Sequence, residues 1–139
     1  MMDGHIVLKD VHKSFGPKQV LRGLSVSVKK GRSLVVIGGS GTGKSVMLKC
    51  ILGIIRPDAG EITVGGENCI GLRGKDRDAF LSRFGMLFQG AALFDSLSVW
   101  ENVAFGLTHG GKMGRSLSRA QAKDIAIDKL AQVGLTADV

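Results

Sequence analysis

The stretch that decides the fold reads Gly38-Gly39-Ser40-Gly41-Thr42-Gly43-Lys44-Ser45. It has the G-x-x-x-x-G-K-[ST] spacing of a phosphate-binding loop. An apolar run at residues 34–37 precedes it and predicts a strand, and a helical pattern from Lys44 to about Ile54 follows it. A flexible Gly/Ser linker is the alternative, but linkers rarely lie between an apolar strand and an amphipathic helix. The order of strand, loop and helix therefore favours a phosphate-binding loop.

The residue types in this stretch match the chemistry of binding a polyphosphate. Glycines let the backbone curl so that successive N–H groups point at phosphate oxygens. Lys44 is expected to reach the β- and γ-phosphates, and the Ser45 hydroxyl is expected to bind Mg²⁺. Val46 follows in the first helical turn, whose positive dipole end adds to the anion site. The sequence thus predicts a nucleoside triphosphate site.

Composition places the chain among globular domains and excludes several classes. Its 139 residues suffice for one domain with a core, and its net charge is +7. The basic residues are scattered without aromatic interleaving, so we expect no nucleic-acid partner. The longest apolar runs are too short to span a bilayer, and the N-terminus lacks a signal-type apolar segment. Cys50 and Cys69 have no metal-like spacing, which predicts a reduced, cytoplasmic protein with Cys50 in the core.

Short strands and tight turns are predicted before the loop. Alternation indicates strands at residues 5–11, 19–21 and 24–28, with a turn at residues 14–17. After the loop helix, residues 61–64 predict a strand that Gly65 and Gly66 close as a hairpin. Residues 73–83 predict a surface helix, and residues 85–88 predict a buried strand that ends at Gln89.

A second helix is predicted over residues 118–133. Its apolar face comprises Ala122, Ile125, Ala126, Leu130 and Val133. Ser118 and Gln121 have the S-x-x-Q spacing of a capping box, and Gly134 is placed to end the helix. Small antiparallel strands combined with a phosphate-loop unit predict an α/β layered domain.

Three further features narrow the class of nucleotide-binding protein. Phe15 lies between two strand candidates ahead of the loop, and apolar Val20 follows it; its flat ring could stack on adenine. Gln89 ends an apolar run, and its amide oxygen could bind Mg²⁺ or orient the attacking water. Residues 54–62, which read IIRPDAGEI, connect the loop helix to the next strand.

Together these features resemble the ATP-binding subunit of an ABC transporter, over nearly the whole chain. The matching elements are the aromatic platform at Phe15, the Walker A loop, the connection at residues 54–62 and the glutamine loop at Gln89. Residues 85–105 are similar to the Mla-type ATPases, which power phospholipid movement between the two membranes of Gram-negative bacteria and relate to toluene-tolerance transporters. The resemblance implies a P-loop NTPase fold of ABC type with a small N-terminal antiparallel β-subdomain.

The resemblance also implies cofactors and partners. It implies ATP and Mg²⁺ as cofactors, with Ser45 and Gln89 as metal ligands, and a homodimer with a second ATPase subunit. It implies an integral membrane permease as partner and a peripheral location on the inner face of the cytoplasmic membrane. Residues 91–105 would lie next to the groove that receives a coupling helix, and Phe94, Leu97 and Trp100 are candidates for that contact or for the core.

The sequence departs from the family pattern in several places. Phe15 replaces the usual tyrosine but keeps the stacking face. Residues 117–121 (LSRAQ) lack the glycines of the family signature and fit a helix cap better, and residues 91–95 (AALFD) are followed by Ser96 where Walker B needs glutamate. None of the histidines, His5, His12 and His109, follows a Walker B element.

These departures lead us to expect that residues 1–139 are the N-terminal portion of one nucleotide-binding domain, with the catalytic glutamate beyond Val139. We expect no catalytic residue in this chain and no ATP hydrolysis by it alone. The alternatives are a soluble ABC-type ATPase without a membrane partner, acting on ribosomes or DNA, and a nucleotide-binding module without catalytic role. A small-molecule kinase is a further alternative, although Phe15 and Gln89 point elsewhere.

Overall fold

Strand β1 (Ile6–Phe15) and strand β2 (Lys18–Val28) form an antiparallel hairpin in the computed structural model, which describes residues 4–90, 92–109 and 117–135. Gly16 occupies the first position of the two-residue turn with φ of 57°, the conformation that a type II′ turn requires there. The sequence predicted two strands at residues 19–28, but β2 runs through without interruption. The register between β1 and β2 shifts where Val11 lies opposite Leu24 and His12 opposite Arg22. Gly23, with φ of 77°, is the extra residue of β2 at this bulge.

Strand β3 (Ala59–Val64) pairs antiparallel with β1, and the short strand β4 (Glu67–Asn68) pairs with β3. The resulting sheet has the order β2-β1-β3-β4. Gly65 and Gly66 form the turn between β3 and β4 with φ of 59° and 83°, which confirms the predicted hairpin. The small N-terminal antiparallel sheet expected from the sequence is therefore present.

Helix α1 (Lys44–Ile51) packs on this sheet and begins at the end of the phosphate-binding loop. It ends three residues before the predicted boundary, because the chain turns at Leu52 and Gly53, the latter with φ of 63°. The core of this part of the chain contains apolar residues of β1, β2, β3, α1 and α2, together with Cys69, which follows β4: Leu8, Val11, Leu21, Met47, Cys50, Ile51, Ile62, Val64, Cys69 and Phe80. The prediction that Cys50 is a core residue is confirmed.

Helix α2 (Gly74–Leu81) is the surface helix predicted for residues 73–83. Phe80 is its one buried residue, and its ring lies 5.0 Å from the ring of Phe84. Apart from Phe80 and the partly buried Leu81, the helix is exposed, as expected for a charged, polar segment at the edge of a core.

The chain divides into two units, Met1–Phe84 and Gly85–Val139. The second unit contains helices α3 (Val99–His109) and α4 (Arg119–Gln132), which pack through Ala104, Ala122 and Ala126 with Trp100 against them. The capping box of α4 is confirmed: Ser118 Oγ accepts from the Gln121 N–H, and the Gln121 side chain accepts from the Ser118 N–H. Gly134, with φ of 81°, follows its end as predicted.

The predicted apolar face of α4 is only partly correct. Ala122, Ala126 and Leu130 are buried, but Ile125 and Val133 are exposed. The packing partner, α3, contacts α4 along a stripe of small alanines, and a stripe that narrow does not reach the edges of the predicted face.

Helix α3 was not predicted, although its start carries a local signal. The Glu101 carboxylate accepts hydrogen bonds from the Ser98 N–H at 2.9 Å and the Ser98 hydroxyl at 2.7 Å. These two bonds, together with the nearby Arg119 guanidinium, lower the pKa of Glu101. Ser98 and Glu101 have the S-x-x-E spacing of a capping box, so the sequence alone could have located this helix start.

Two predicted strands are absent from the described residues. Residues 34–37 and 85–88 have no regular secondary structure, and Val35, Ile37 and Leu87 are 80%, 91% and 87% exposed. A strand needs a neighbouring strand to pair its backbone groups, and the described sheet offers these segments none. The predictions of a strand at 34–37 and a buried strand at 85–88 are therefore wrong for this structure.

Asp58 links the connection between α1 and β3 to the end of β1 by an ion pair and hydrogen bonds. Its carboxylate accepts from the Lys13 ammonium at 2.6 Å and from the Ser14 N–H at 2.7 Å, and its own N–H donates to the His12 carbonyl at 2.8 Å. The hydrogen bond from Lys13 is the main cause that lowers the pKa of Asp58 below its ordinary value of 3.8.

Replacement of Asp58 by asparagine is expected to destabilise the chain in a pH-dependent way. Because the folded-state pKa is lowered, the charged carboxylate stabilises the fold above its ordinary pKa, and this contribution is lost as pH falls through the lower, folded-state value. Urea unfolding should therefore give a higher unfolding free energy for wild type than for Asp58→Asn at neutral pH. This difference should shrink as the pH falls below the ordinary pKa of aspartate and disappear below the folded-state pKa of Asp58.

Asp124→Asn serves as the control for loss of one carboxylate. Asp124 is exposed on α4 and makes no ion pair within the described residues. Its replacement should change the unfolding free energy by no more than about 0.5 kcal/mol at neutral pH. A difference in unfolding free energy between wild type and Asp58→Asn that stays constant from neutral pH into strong acid would contradict a stabilising ion pair between Asp58 and Lys13.

Candidate phosphate-binding site

The phosphate-binding loop is held against β2 by a close backbone approach at its end. Gly43 has φ of 96°, and a Cβ added to it would lie 3.0 Å from Val20 Cγ1 and 3.1 Å from Leu21 Cδ2. Only glycine combines that conformation with that space. This approach explains the glycine before Lys44 and places Val20, a predicted site residue, against the loop.

The side chain of Lys44 folds back into its own loop. Its ammonium donates to the Gly38 carbonyl at 2.7 Å and to the Gly39 carbonyl at 2.6 Å, while the Thr42 hydroxyl donates to the Gly39 carbonyl at 2.9 Å. The loop therefore closes around one positive charge. Gly41, with φ of 76°, provides one of the left-handed residues that this curl needs.

The N-terminus of α1 is open to an anion. No side chain caps it, and its first turn contains no acidic residue. The first N–H groups of a helix have no partner inside the helix, and the helix dipole makes that end positive. Ser45 is exposed in this turn, whereas Val46 packs against the core. The residues present thus fit a polyphosphate, with the Ser45 hydroxyl free to bind a metal ion.

Phe15 lies at the end of β1 and is 47% exposed. The Lys13 ammonium lies 5.4 Å from the centre of its ring, within the range of a cation–π contact, and Asp58 holds that lysine by the ion pair described above. Sequence reasoning missed Lys13 and Asp58. The sequence alone could have placed Lys13 beside Phe15, because residues two apart on a strand share a face.

A cavity of about 540 Å³ borders the loop and β2, a size typical of small-molecule sites. It brings together five of the twelve predicted site residues: Val20, Gly38, Thr42, Gly43 and Lys44. Phe15, Gly39, Ser40, Gly41, Ser45 and Val46 belong to the same unit but do not line this cavity.

Gln89 belongs to the second unit, where it lies exposed in a turn with Gly90, whose φ is 79°. Its role as a metal ligand stays a prediction. Within residues 4–90, 92–109 and 117–135, no group of three or more His, Cys, Asp or Glu side chains is arranged to hold a metal. The magnesium prediction therefore depends on Ser45 and Gln89.

The predicted coupling segment is organised around Asn102. Its amide donates to the carbonyls of Phe94, Leu97 and Ser98 at 3.1–3.2 Å, and its carbonyl accepts from the Phe94 N–H at 2.8 Å. Phe94 is exposed, and its ring contacts that of Phe105 in a tilted arrangement, with ring centres 4.5 Å apart. Leu97 and Trp100 are partly buried; Ala91 and Val139 lie outside the described residues.

Segments that partly match the missing catalytic motifs have other roles here. Residues 117–121 supply the capping box of α4, as the sequence predicted. Asp95 and Ser96 lie in a turn closed by the hydrogen bond from the Leu97 N–H to the Phe94 carbonyl, not at the end of a strand. No helix in the described part of the chain is both long and apolar enough to cross a membrane.

Comparison with known proteins gives one consistent family. The family model described as ABC transporter matches residues 21–138. Protein TRIGALACTOSYLDIACYLGLYCEROL 3, chloroplastic, of Arabidopsis thaliana is 45% identical over 130 residues, which are 94% of this chain and 36% of that protein. The probable ribonucleotide transport ATP-binding protein mkl of Mycobacterium tuberculosis is 37% identical over 96% of this chain and 36% of its own length.

A solved structure agrees with the sequence relatives. The dimeric structure of MJ0796, a bacterial ABC transporter cassette, superposes with a TM-score of 0.81 at 25% identity, covering 96% of this chain and 59% of that one. The chain thus spans just over a third of the curated relatives and about three-fifths of this cassette. Since the family model matches most of its residues, the chain belongs to the ABC transporter family and has the α/β fold of its ATP-binding cassettes.

Proposed function

We propose that this chain provides the nucleotide-binding part of an ABC transporter ATPase, with MgATP held at residues 38–46. The observation that carries the proposal is the Lys44 ammonium, which lies inside a glycine loop at an uncapped helix N-terminus. A cation and free N–H groups at one point form a site for a highly charged anion. Carbonyl oxygens now accept from the ammonium, and phosphate oxygens can take their place.

Each residue of the loop has a role in this proposal. The backbone N–H groups of Gly39, Ser40, Gly41, Thr42 and Gly43 bind phosphate oxygens, and Lys44 neutralises the β- and γ-phosphates. Ser45 holds Mg²⁺, which when bound offsets phosphate charge; Gln89 is proposed as a further ligand that responds to the γ-phosphate. Exchange of neutral carbonyls for phosphate oxygens adds attraction between opposite charges to the hydrogen bonds of the Lys44 ammonium.

Adenine is proposed to stack on Phe15, with Val20 beside it. The ring is half-exposed and therefore accessible to a base, and the Lys13 ammonium lies 5.4 Å from the ring centre. Stacking of a base on an aromatic side chain contributes about 1–3 kcal/mol. Both residues lie on the β1–β2 hairpin, so the hairpin would set the distance between adenine and phosphates.

The partners of the complete protein are proposed from the family. The solved MJ0796 structure is that of a dimeric cassette, and cbiO1 from Clostridium perfringens is part of the ABC transporter complex cbiONQ. By analogy we propose a dimer of ATPase subunits on the inner face of the cytoplasmic membrane, joined to a permease through the segment around Phe94, Leu97 and Trp100. Exposed Phe94 is the most accessible of the three to a partner.

Hydrolysis is proposed for the whole protein and not for these 139 residues. The sequence contains neither a Leu-Ser-Gly-Gly signature nor an Asp-Glu pair. A carboxylate that holds Mg²⁺ and a residue that orients water are both needed for phosphoryl transfer.

Lys44→Ala is expected to lower the affinity for MgATP by about tenfold or more, because charge-assisted hydrogen bonds to phosphate are lost. Isothermal titration calorimetry of the 139-residue chain measures this directly. Lys49→Ala is the matched control: Lys49 lies exposed on the same helix, outside the loop, and its removal should leave the affinity nearly unchanged. Equal losses for both variants, or steady-state phosphate release that Lys44→Ala abolishes, would contradict the proposal.

Phe15→Ala is expected to separate base stacking from phosphate binding. Affinity for MgATP should fall by about tenfold, while affinity for magnesium tripolyphosphate, which has no base, should not change. Phe15→Trp should restore nucleotide binding because it retains an aromatic face. Loss of affinity for tripolyphosphate in Phe15→Ala would mean that Phe15 supports the loop and does not bind adenine.

The transported substrate is proposed to be a lipid. The similarity of residues 85–105 to Mla-type ATPases supports this, as does the name of the Arabidopsis relative, which contains that of a glycolipid. The name of the mycobacterial relative supports ribonucleotides as the second candidate.

Affinity purification of the protein from its native membranes, followed by mass spectrometry, tests partner and substrate together. We expect an integral membrane subunit and bound phospholipid to be recovered with the protein. Substitution of Phe94 by aspartate should release the membrane subunit, whereas the same change at Val133, an exposed apolar residue beyond α4, should not. Recovery of the protein without any membrane subunit would favour the soluble ATPase alternative.

A further inference from the structure

A second cavity lies in the first unit, away from the phosphate-binding loop. It has a volume of about 150 Å³ and is bounded by the end of α1, the connection that follows β4 and the start of α2. None of its lining residues belongs to residues 38–46 or lines the cavity beside the loop. This cavity is therefore separate from the proposed nucleotide site.

Three arginines line the cavity: Arg56, Arg73 and Arg77. No aspartate or glutamate lines it, so its lining has a formal charge of +3. Within the described residues, the side chains of these arginines make no ion pair and no hydrogen bond, although other arginines of the chain do. Arg73 and Arg77 are four residues apart at the start of α2, where like charges destabilise a helix. A bound anion would remove that repulsion.

The backbone adds to this positive potential. Arg73 is the N-cap of α2, and no side chain caps this helix end, although Asp76 lies in the first turn and offsets part of its positive charge. Gly71, which lines the cavity, has φ of 89° and no neighbouring atom within 4 Å of the place where a side chain would begin. Bare backbone can thus approach a ligand at the same point where the helix dipole is positive.

The floor of the cavity is apolar and uncharged. Phe80 and the thiols of Cys50 and Cys69 are buried there. Burial raises the pKa of Cys50 and of Cys69, so both thiols stay protonated and add no negative charge. Because an apolar floor lies beneath the three exposed guanidinium groups, the local dielectric is lower than that of bulk water, which strengthens their attraction for an anion.

We propose that this cavity binds a phosphate group through Arg56, Arg73 and Arg77. The volume is several times the roughly 30 Å³ of a water molecule, which suits one phosphate group and not a whole nucleotide. Guanidinium is planar and binds phosphate through two parallel N–H bonds, so arginines and not lysines are the expected lining. The phosphate can belong to a soluble phosphorylated compound or to a lipid headgroup.

Titration of the ¹⁵N-labelled 139-residue chain with inorganic phosphate tests the proposal by amide chemical shift. The amides of Gly71 and Gly74 should move with a saturable curve, and sodium chloride at equal ionic strength should not reproduce it. Site resolution separates this response from that of Gly39 and Gly41 in the loop. Absence of a saturable response at Gly71 and Gly74 would overturn the proposal. It would not affect the proposed MgATP site, which the calorimetry of Lys44→Ala tests independently.

The double variant Arg73→Gln with Arg77→Gln should weaken phosphate binding at Gly71 by about tenfold or more. Lys30→Gln with Arg32→Gln is the control of equal charge loss, since both residues are exposed and lie outside the cavity. An equal loss in the two double variants would mean general charge attraction and would overturn the site. The wild-type comparison of phosphate with chloride decides the matter even if the cavity variant is destabilised.

Vesicles distinguish the two sources of the phosphate. If the ligand is a lipid headgroup, phosphatidylcholine vesicles containing phosphatidic acid should broaden the Gly71 and Gly74 amides, and the cavity variant should abolish this. Phosphate binding without a response to these vesicles assigns the site to a soluble compound. A response to vesicles that survives in the cavity variant would show membrane binding elsewhere and contradict the headgroup assignment.

Discussion

The candidate site depends on the two hydrogen bonds from the Lys44 ammonium to the carbonyls of Gly38 and Gly39. They close the glycine-rich loop around a positive charge, because oxygens of the loop itself accept from the charged donor. The curl begins from Gly43, which is fixed against Val20 and Leu21 of β2. The sheet, the loop and helix α1 thus form one arrangement in which a phosphate has only to replace two carbonyl groups.

The same sheet sets the other end of the proposed nucleotide site. The tie between Asp58 and Lys13 holds the connection after α1 against the end of β1, next to Phe15. Helix α1 leaves the loop, packs its buried face on the sheet and returns through this connection. A single antiparallel sheet therefore carries both the residue proposed for adenine and the support for the phosphate loop.

Local signals in the sequence account for most of the correct predictions, although helix α3 is missed despite the local capping-box spacing of Ser98 and Glu101. The loop motif, the Gly65-Gly66 turn and the capping box at Ser118 and Gln121 depend on a few neighbouring residues, which a sequence displays directly. The strands predicted at residues 34–37 and 85–88 do not form in the described sheet. A strand depends on a neighbouring strand, and a sequence pattern does not show whether one is present. Lys13 and Asp58 meet across a large separation in sequence, so their ion pair beside Phe15 could not be foreseen.

A crystal structure of the chain with Mg²⁺ and a non-hydrolysable ATP analogue tests the central claim most directly. The account predicts that the Lys44 ammonium leaves the carbonyls of Gly38 and Gly39 and lies about 3 Å from phosphate oxygens. The backbone of residues 39–43 should keep its curl, because glycine conformations and the contact with β2 already set it. A nucleotide bound elsewhere, with both Lys44 hydrogen bonds to the loop carbonyls intact, would contradict the account.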